Sequence, residues 1–392
     1  MARVVIKLGS AIVATDEGEL REQLLAGVCA AVAAARRGGD EVVVVTSGAI
    51  ACGTRVLGLA GRPSAIEELQ AASAVGQGRL YRVYDELLAA QGAVAAQVLL
   101  TFSDVSARTS YLNARQTLGK LLDWGTVPVI NENDTTATDE ISFGDNDFLA
   151  AQVAILVGAD RLVILTGTDG LYTADPRTDP SAVRVDRVED FAALEQLSIT
   201  QTTSAHGSGG MRSKVVAADM ATAAGIETVI CNGEREGILA AVLAGASEGT
   251  LFVAREQRYS SFKLWLRYAK PSRGTIVVDG GAARALREGG TSLLPVGVVE
   301  VRGEFDEGDA VDVVELAAAG GDEVEGAGGA PLDPGAPGSP ELAVTEQPVG
   351  KGISNYSAAD LRAAAGRHSA AVRELLPRAT AEAVHRDYFV LA

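Results

Sequence analysis

Hydrophobic positions in this chain fall into short β-branched runs, separated by longer stretches in which apolar residues recur every three or four positions. The runs are VVIKLG from Val4, EVVVVTSGAI from Glu41, VPVINEND from Val127, RLVILTGTDG from Arg161 and IETVICNG from Ile226. Their apolar residues are consecutive rather than alternate, which suits strands buried on both faces of a parallel sheet. The stretches 20–39, 64–91, 147–157 and 215–225 read as helices, the first closed by a Gly pair that can stop it. Strand and helix in alternation predict right-handed crossovers and an α/β three-layer sandwich with a mainly parallel central sheet. Ligands of such sheets bind beyond the carboxyl ends of the strands. Each run above ends there in a polar or Gly-rich loop.

The pattern changes after Val253. Short strand-like pieces with Gly turns follow (GTIVVDGGA, TSLLPVGVVEVRG, DAVDVVEL), which predicts a second, smaller β-rich domain. The expected boundaries are a first domain over 1–255, a linker over 256–271, the small domain over 272–367 and a C-terminal tail over 368–392. Residues 317–348 are rich in Gly, Pro, Ala and acid, and read as a flexible insertion in the small domain.

Composition narrows the function classes. A length of 392 residues suits two or three domains, and a net charge of −17 argues against broad binding to a nucleic-acid backbone or an anionic membrane. It says little against a small anion held at a local basic site. Cys29, Cys52 and Cys231 have no CxxC spacing, and read as buried thiols in a reducing compartment. The first residues, MARVVIKLGS, lack the pattern of a signal peptide, and no apolar run approaches the roughly 20 residues of a membrane span. The expected location is cytoplasmic.

The densest chemistry is GSGGMRSK at residues 207–214, directly before a helix-like run. Glycines let backbone N–H groups approach an anion, and a helix start adds partial positive charge. The spacing is not that of a Walker A loop, and a plain flexible turn is the competing reading. Lys7, at the end of the first run, is either a solvated strand end or a second phosphate ligand. With Lys214 it would supply two cations to transferring phosphoryl oxygens. Ser47 in TSGAI could meet a substrate or cap a helix. INENDT (130–135) places Asn131, Glu132, Asn133 and Asp134, and FGDNDFLA (143–150) places Asp145, Asn146 and Asp147, in loops at adjoining strand ends. Such loops suit an ammonium group, although Asp147 could instead cap the next helix. His206, His368 and His385 share no metal spacing, and no metal site is read from the chain.

Taken together, VVIKLGS, VVTSGAIACG, VPVINENDT, FGDNDFLAA, LTGTDGLYTADPR, GSGGMRSK and SLLPVG resemble the amino acid kinase family over nearly the whole chain. The resemblance is closest to its glutamate-phosphorylating members, since kinases of acetylglutamate, aspartate or UMP share the lysine pair but not this set. The C-terminal part resembles a PUA domain, a small β-rich module often associated with RNA. The resemblance implies transfer of a phosphoryl group from ATP to the γ-carboxylate of L-glutamate, the opening step of proline biosynthesis. Mg²⁺ would be held largely by the ATP phosphates, with proline as a feedback inhibitor and a homo-oligomeric assembly. Catalytic roles fall to Lys7, Lys214 and Asp147, the last holding the two lysines. Ser47, Asp134 and Asn146 would bind glutamate. Lys7, Thr166, Gly167, Ser208, Gly209, Gly210, Met211, Arg212, Ser213 and Lys214 would line the ATP site. Another small acid as substrate, or an RNA-binding role, are the competing readings.

Two departures from the family pattern stand out. Gly167 occupies a place where many members carry Asp, which leaves only backbone contacts to it. From residue 271 onward there are 10 Lys plus Arg against 19 Asp plus Glu, with no basic residue at all over 303–350. An RNA-binding surface carries clustered positive charge, so a regulatory or architectural role is expected for the small domain.

Overall fold

The computed structural model describes residues 1–101, 104–105, 108–136, 146–191, 194, 210–256, 263, 266–267, 272–317, 345–376 and 380–392. The chain divides into two compact units, Met1–Ser261 and Phe262–Ala392.

The first unit is built on an eight-stranded sheet. Its strands in chain order are β1 Arg3–Leu8, β2 Glu41–Val45, β3 Ala95–Leu100, β4 Val127–Glu132, β5 Arg161–Thr166, β6 Arg187–Val188, β7 Glu227–Asn232 and β8 Thr250–Phe252. They lie in the order β3-β4-β2-β1-β5-β7-β8-β6, all pairs parallel except β7 with β8. The five β-branched runs are β1, β2, β4, β5 and β7. Strand β3 (AAQVLL) carries weaker β-branching and lies at the edge of the sheet, so it left no comparable run in the sequence. Strand β1 is central, flanked by β2 and β5; the chain leaves β1 toward β2 and leaves β5 toward β6 and β7, in opposite directions across the sheet. That is the switch point at which open α/β sheets bind ligands.

Alternation along β1 decides which layer each side chain joins. Ile6 and Leu8 pack into one core with Leu25 and Val28 of helix Glu22–Arg37, Leu80 and Tyr84 of helix Ile66–Ala90, and Ile238 of helix Ile238–Leu243. Lys7 points the other way, toward helices Asn146–Val157 and Met211–Ala223, and is only 1% exposed. Three layers therefore stand as the alternation predicts.

The short helix Ala49–Val56 crosses the long helix Ile66–Ala90 at backbone contact. A Cβ on Gly53 would lie 1.7 Å from the Ala72 carbonyl oxygen, and one on Gly76 would lie 1.9 Å from that of Ala49. Both obstacles are backbone, so no side-chain rotation relieves them. Gly53→Ala is expected to destabilise the protein by at least ~1–3 kcal/mol, the scale of overpacking. A thermal melt checks this, and an unchanged midpoint would mean that the two helices can part freely.

The second unit holds a five-stranded sheet of β9 Gly274–Val278, β10 Val298–Gly303, β11 Ala310–Ala317, β12 Thr345–Ser354 and β13 Val384–Leu391, in the order β10-β9-β11-β12-β13. Only the β9–β11 pair is parallel. Ile276, Val278, Val311, Val313, Leu361 and Phe389 share its core. The sheet does not end at residue 367. Residues 384–391, expected to belong to a tail, form an edge strand paired with β12, and Val384, Phe389 and Val390 are buried. The charged HRD triplet inside that strand hid its β character. Thr345 to Pro348, expected inside the flexible insertion, belong to β12, and 318–344 lie outside the described residues. Much of the expected linker, 256–271, also lies outside them. Among the described residues, no helix is long and apolar enough to cross a membrane.

Candidate active site

Three charged side chains meet beyond the carboxyl end of β1. Lys7 Nζ forms an ion pair with Asp147 Oδ1, and Lys214 Nζ donates to Asp147 Oδ2 at 2.8 Å. Ser213 Oγ lies 3.0 Å from the same Oδ2 and 2.8 Å from the Gly210 carbonyl, with one proton to donate to either. Lys7, Asp147 and Lys214 are all buried. They come from β1, from the first turn of helix Asn146–Val157 and from the first turn of helix Met211–Ala223. Burial by itself would raise the Asp147 carboxyl. The Lys214 and Lys7 charges and hydrogen bonds outweigh it and hold the group well below the usual carboxylate range. Asp147 is thus an anion that fixes two ammonium groups, rather than a helix cap.

The lysine-bearing helix starts at Gly210 with no capping side chain, so its first N–H groups have no side-chain acceptor at the cap. Arg212 is exposed and Met211 half-buried beside it, whereas Ser208 and Gly209 lie outside the described residues. Gly9 lies two residues after Lys7. A Cβ there would sit 3.3 Å from the Leu165 carbonyl and 4.0 Å from Lys7 Nζ, so glycine keeps the approach to that ammonium clear. Thr166 ends β5, with its carbonyl accepting from Gly233 N–H at 2.8 Å. Gly167 is exposed, and a Cβ on it would meet nothing within 4 Å, so sterics alone do not demand glycine there. Asp169, two residues on, accepts from Asn232 Nδ2 at 3.1 Å and ties this loop to the end of β7.

A second group lies beyond β2 and β4. Asn146 Nδ2 has three acceptors in reach for its two N–H groups: the Thr46 carbonyl at 2.8 Å, Ser47 Oγ at 2.9 Å and Asn131 Oδ1 at 2.9 Å. Gly48, at φ 96°, takes the position before helix Ala49–Val56 without a side-chain cap, which frees Ser47 from capping. Asp134 accepts a hydrogen bond from Ser73. Burial pushes its carboxyl up, opposed by that hydrogen bond and by the Arg62 charge. Sequence reasoning did not find Ser73 and Gln77. They stand one turn apart on helix Ile66–Ala90, and their only signal is polarity within an otherwise small-residue stripe (Ala72, Gly76).

The contrast between the two aspartates predicts a pH dependence. On acidification Asp134 takes up its proton before Asp147 does. If the Asp134 carboxylate holds a substrate ammonium group, the KM for that substrate rises on the acid side while kcat at saturation is retained. Ser73→Ala removes a bond that favours the charged form, so the rise should begin at higher pH than in the unaltered protein. A profile of KM against pH for both proteins checks it, and coincident profiles would count against the Asp134 role.

The amino acid kinase family model matches residues 2–232, and the PUA domain model matches 274–376. The glutamate 5-kinase of Meiothermus ruber is 44% identical over 393 residues, covering 100% of this chain and 96% of that one. Those of Dinoroseobacter shibae and Thermus thermophilus are each 43% identical, covering 99% of this chain and 98% and 97% of theirs. A family model that spans most of the first unit, with relatives this similar from end to end, leaves one placement: the chain belongs to the amino acid kinase family, among its glutamate 5-kinase members.

Proposed function

We propose that the protein transfers the γ-phosphoryl group of ATP to the γ-carboxylate of L-glutamate, giving L-glutamyl 5-phosphate and ADP, the first step of proline biosynthesis. The observation that carries the reading is the single buried carboxylate of Asp147 gathering Lys7 and Lys214 beside an uncapped helix start. Full-length similarity to glutamate 5-kinases supports the choice of substrate.

The chemistry matches those residues. A γ-carboxylate is already ionised near neutral pH, so the nucleophile needs no general base. One carboxylate oxygen attacks the γ-phosphorus in line, and the bond to the β,γ-bridging oxygen breaks as ADP leaves. No proton is transferred. The barrier lies in bringing two anions together, which charge stabilisation and positioning lower. Lys7 and Lys214 offset negative charge on the phosphoryl oxygens, and the helix start at Gly210 adds its N–H groups. Asp147 keeps both ammonium groups in place. Ser47, Asp134 and Asn146 hold the amino-acid end of glutamate. Thr166, Gly167 and residues 208–214 line the nucleotide. The ATP phosphates would carry Mg²⁺, which would neutralise part of their charge.

The test is glutamate-dependent ADP release by purified protein with Mg²⁺, trapping the acyl phosphate with hydroxylamine. Turnover with L-glutamate and none with aspartate or N-acetylglutamate is expected. ATP binding without glutamate turnover would point to a sister substrate instead. The reading also carries a cytoplasmic homo-oligomer inhibited by proline, for which light scattering and a proline titration are the checks. In the second unit Arg287, Arg302 and Arg362, three of its described cations, are each paired with a glutamate. That supports a regulatory or architectural role over RNA binding.

A further inference from the structure

We propose that Gln77 is a positioning residue for the amino-acid substrate, anchoring the far end of a ladder of side-chain amides that keeps Asn146 Oδ1 available to a substrate ammonium group. The inference rests on the function proposed above and extends it to a residue outside the reacting groups.

Asn146 Nδ2 has three protein acceptors in reach for its two N–H groups, whereas Asn146 Oδ1 is buried and has no hydrogen-bond partner among the described residues. A buried acceptor left unmade is costly, and the missing donor is one that a ligand can bring. The Thr46 carbonyl cannot donate, so it sets the polarity of the Asn146 amide. That polarity passes along the ladder. Asn131, 2% exposed, turns its Oδ1 to Asn146, and its Nδ2 then donates to Gln77 Oε1 at 2.6 Å.

Without an acceptor at Gln77, Asn131 Nδ2 becomes a buried donor with nothing in that direction. Rotating Asn131 to relieve it withdraws Oδ1 from Asn146, whose amide then loses the acceptor on that side. Gln77 lies one turn after Ser73, which holds Asp134. The same helix face therefore braces both residues proposed to meet the ammonium group, Asp134 directly and Asn146 through Asn131.

The test compares Gln77→Leu with Gln77→Glu, which retains an acceptor. In Gln77→Leu, KM for L-glutamate should rise about tenfold, the scale of one buried donor left unmade. KM for ATP and kcat should hold. Inhibition by glutarate, which has no ammonium group, should be unchanged, and Gln77→Glu should behave as the unaltered protein. Gln77→Met replaces Gln77→Leu if the branched side chain prevents folding. The proposal is overturned by an unmoved KM for L-glutamate, by equal weakening of glutarate, or by Gln77→Glu failing like Gln77→Leu. A ligand-free measurement separates it from the function proposed above. In asparagine-labelled protein, the Asn146 side-chain amide resonances should shift in Gln77→Leu and not in Gln77→Glu. Resonances that stay in place overturn the ladder, whereas absent glutamate turnover in the unaltered protein overturns only the substrate.

Discussion

Lys214→Ala should lower kcat at least about a hundredfold, the scale seen when one preorganised charge stabiliser is lost, with little change in KM for glutamate. Lys214 sits in the first turn of its helix with Nζ 2.8 Å from Asp147, and only 6% of its surface is exposed. A cation so enclosed acts through a low effective dielectric, where it is worth more than in water. Its effect should appear in kcat because charge gathers on the phosphoryl oxygens as the reaction proceeds, whereas glutamate is held by a different set of side chains. The Lys7–Asp147 pair remains in the variant, so the fold should survive, and a thermal melt serves as the control. Lys214→Arg should recover little, because a planar guanidinium cannot place a compact charge at the same point. Near-normal turnover in a folded Lys214→Ala protein would remove Lys214 from the mechanism.

The parts that the sequence revealed and the parts it hid differ in physical kind. Strands β1, β2, β4, β5 and β7 were legible because a strand covered on both faces must be apolar at successive positions. Edge strands escape that demand. AAQVLL reads weakly, and VHRDYFVL is interrupted by charges that the described structure places at exposed or half-buried positions. Lys7, Asp147 and Lys214 were legible as residues because charge at a strand end or helix start is conspicuous. Their meeting was not, because Lys7 and Lys214 lie on different elements far apart in sequence, and only the fold brings both onto Asp147. Ser47 was ambiguous between cap and ligand, and a glycine at positive φ takes the position before the helix, which removes the capping reading. Ser73 and Gln77 could not have been singled out at all. Their partners Asp134 and Asn131 lie 61 and 54 residues away, and polarity alone does not separate them from solvated helix positions.

Asp147→Asn carries the other large expected effect, and it acts on stability and turnover together. Asparagine keeps the shape but leaves the ammonium groups of Lys7 and Lys214 facing a neutral amide, with side chains only 2% and 8% exposed. Removing one member of a buried ion cluster costs ~3–5 kcal/mol, because the remaining charges stay desolvated. At roughly 2–4 °C per kcal/mol for a domain of this size, the melting midpoint should fall on the order of ten degrees. The sign of the pH dependence follows from the lowered Asp147 carboxyl. A group whose folded-state value is depressed contributes stability above its unfolded value, about 3.9, and loses it as pH falls through the folded one. The gap between the two proteins should therefore be flat from neutral pH down to about 5 and close only in strong acid. Mg-ATP should narrow the gap, since its phosphates return negative charge to the two lysines, and kcat should drop at least as far as in Lys214→Ala. A variant that melts with the unaltered protein at neutral pH would show that the lysines do not depend on Asp147. The site would then have to be rebuilt around another anion.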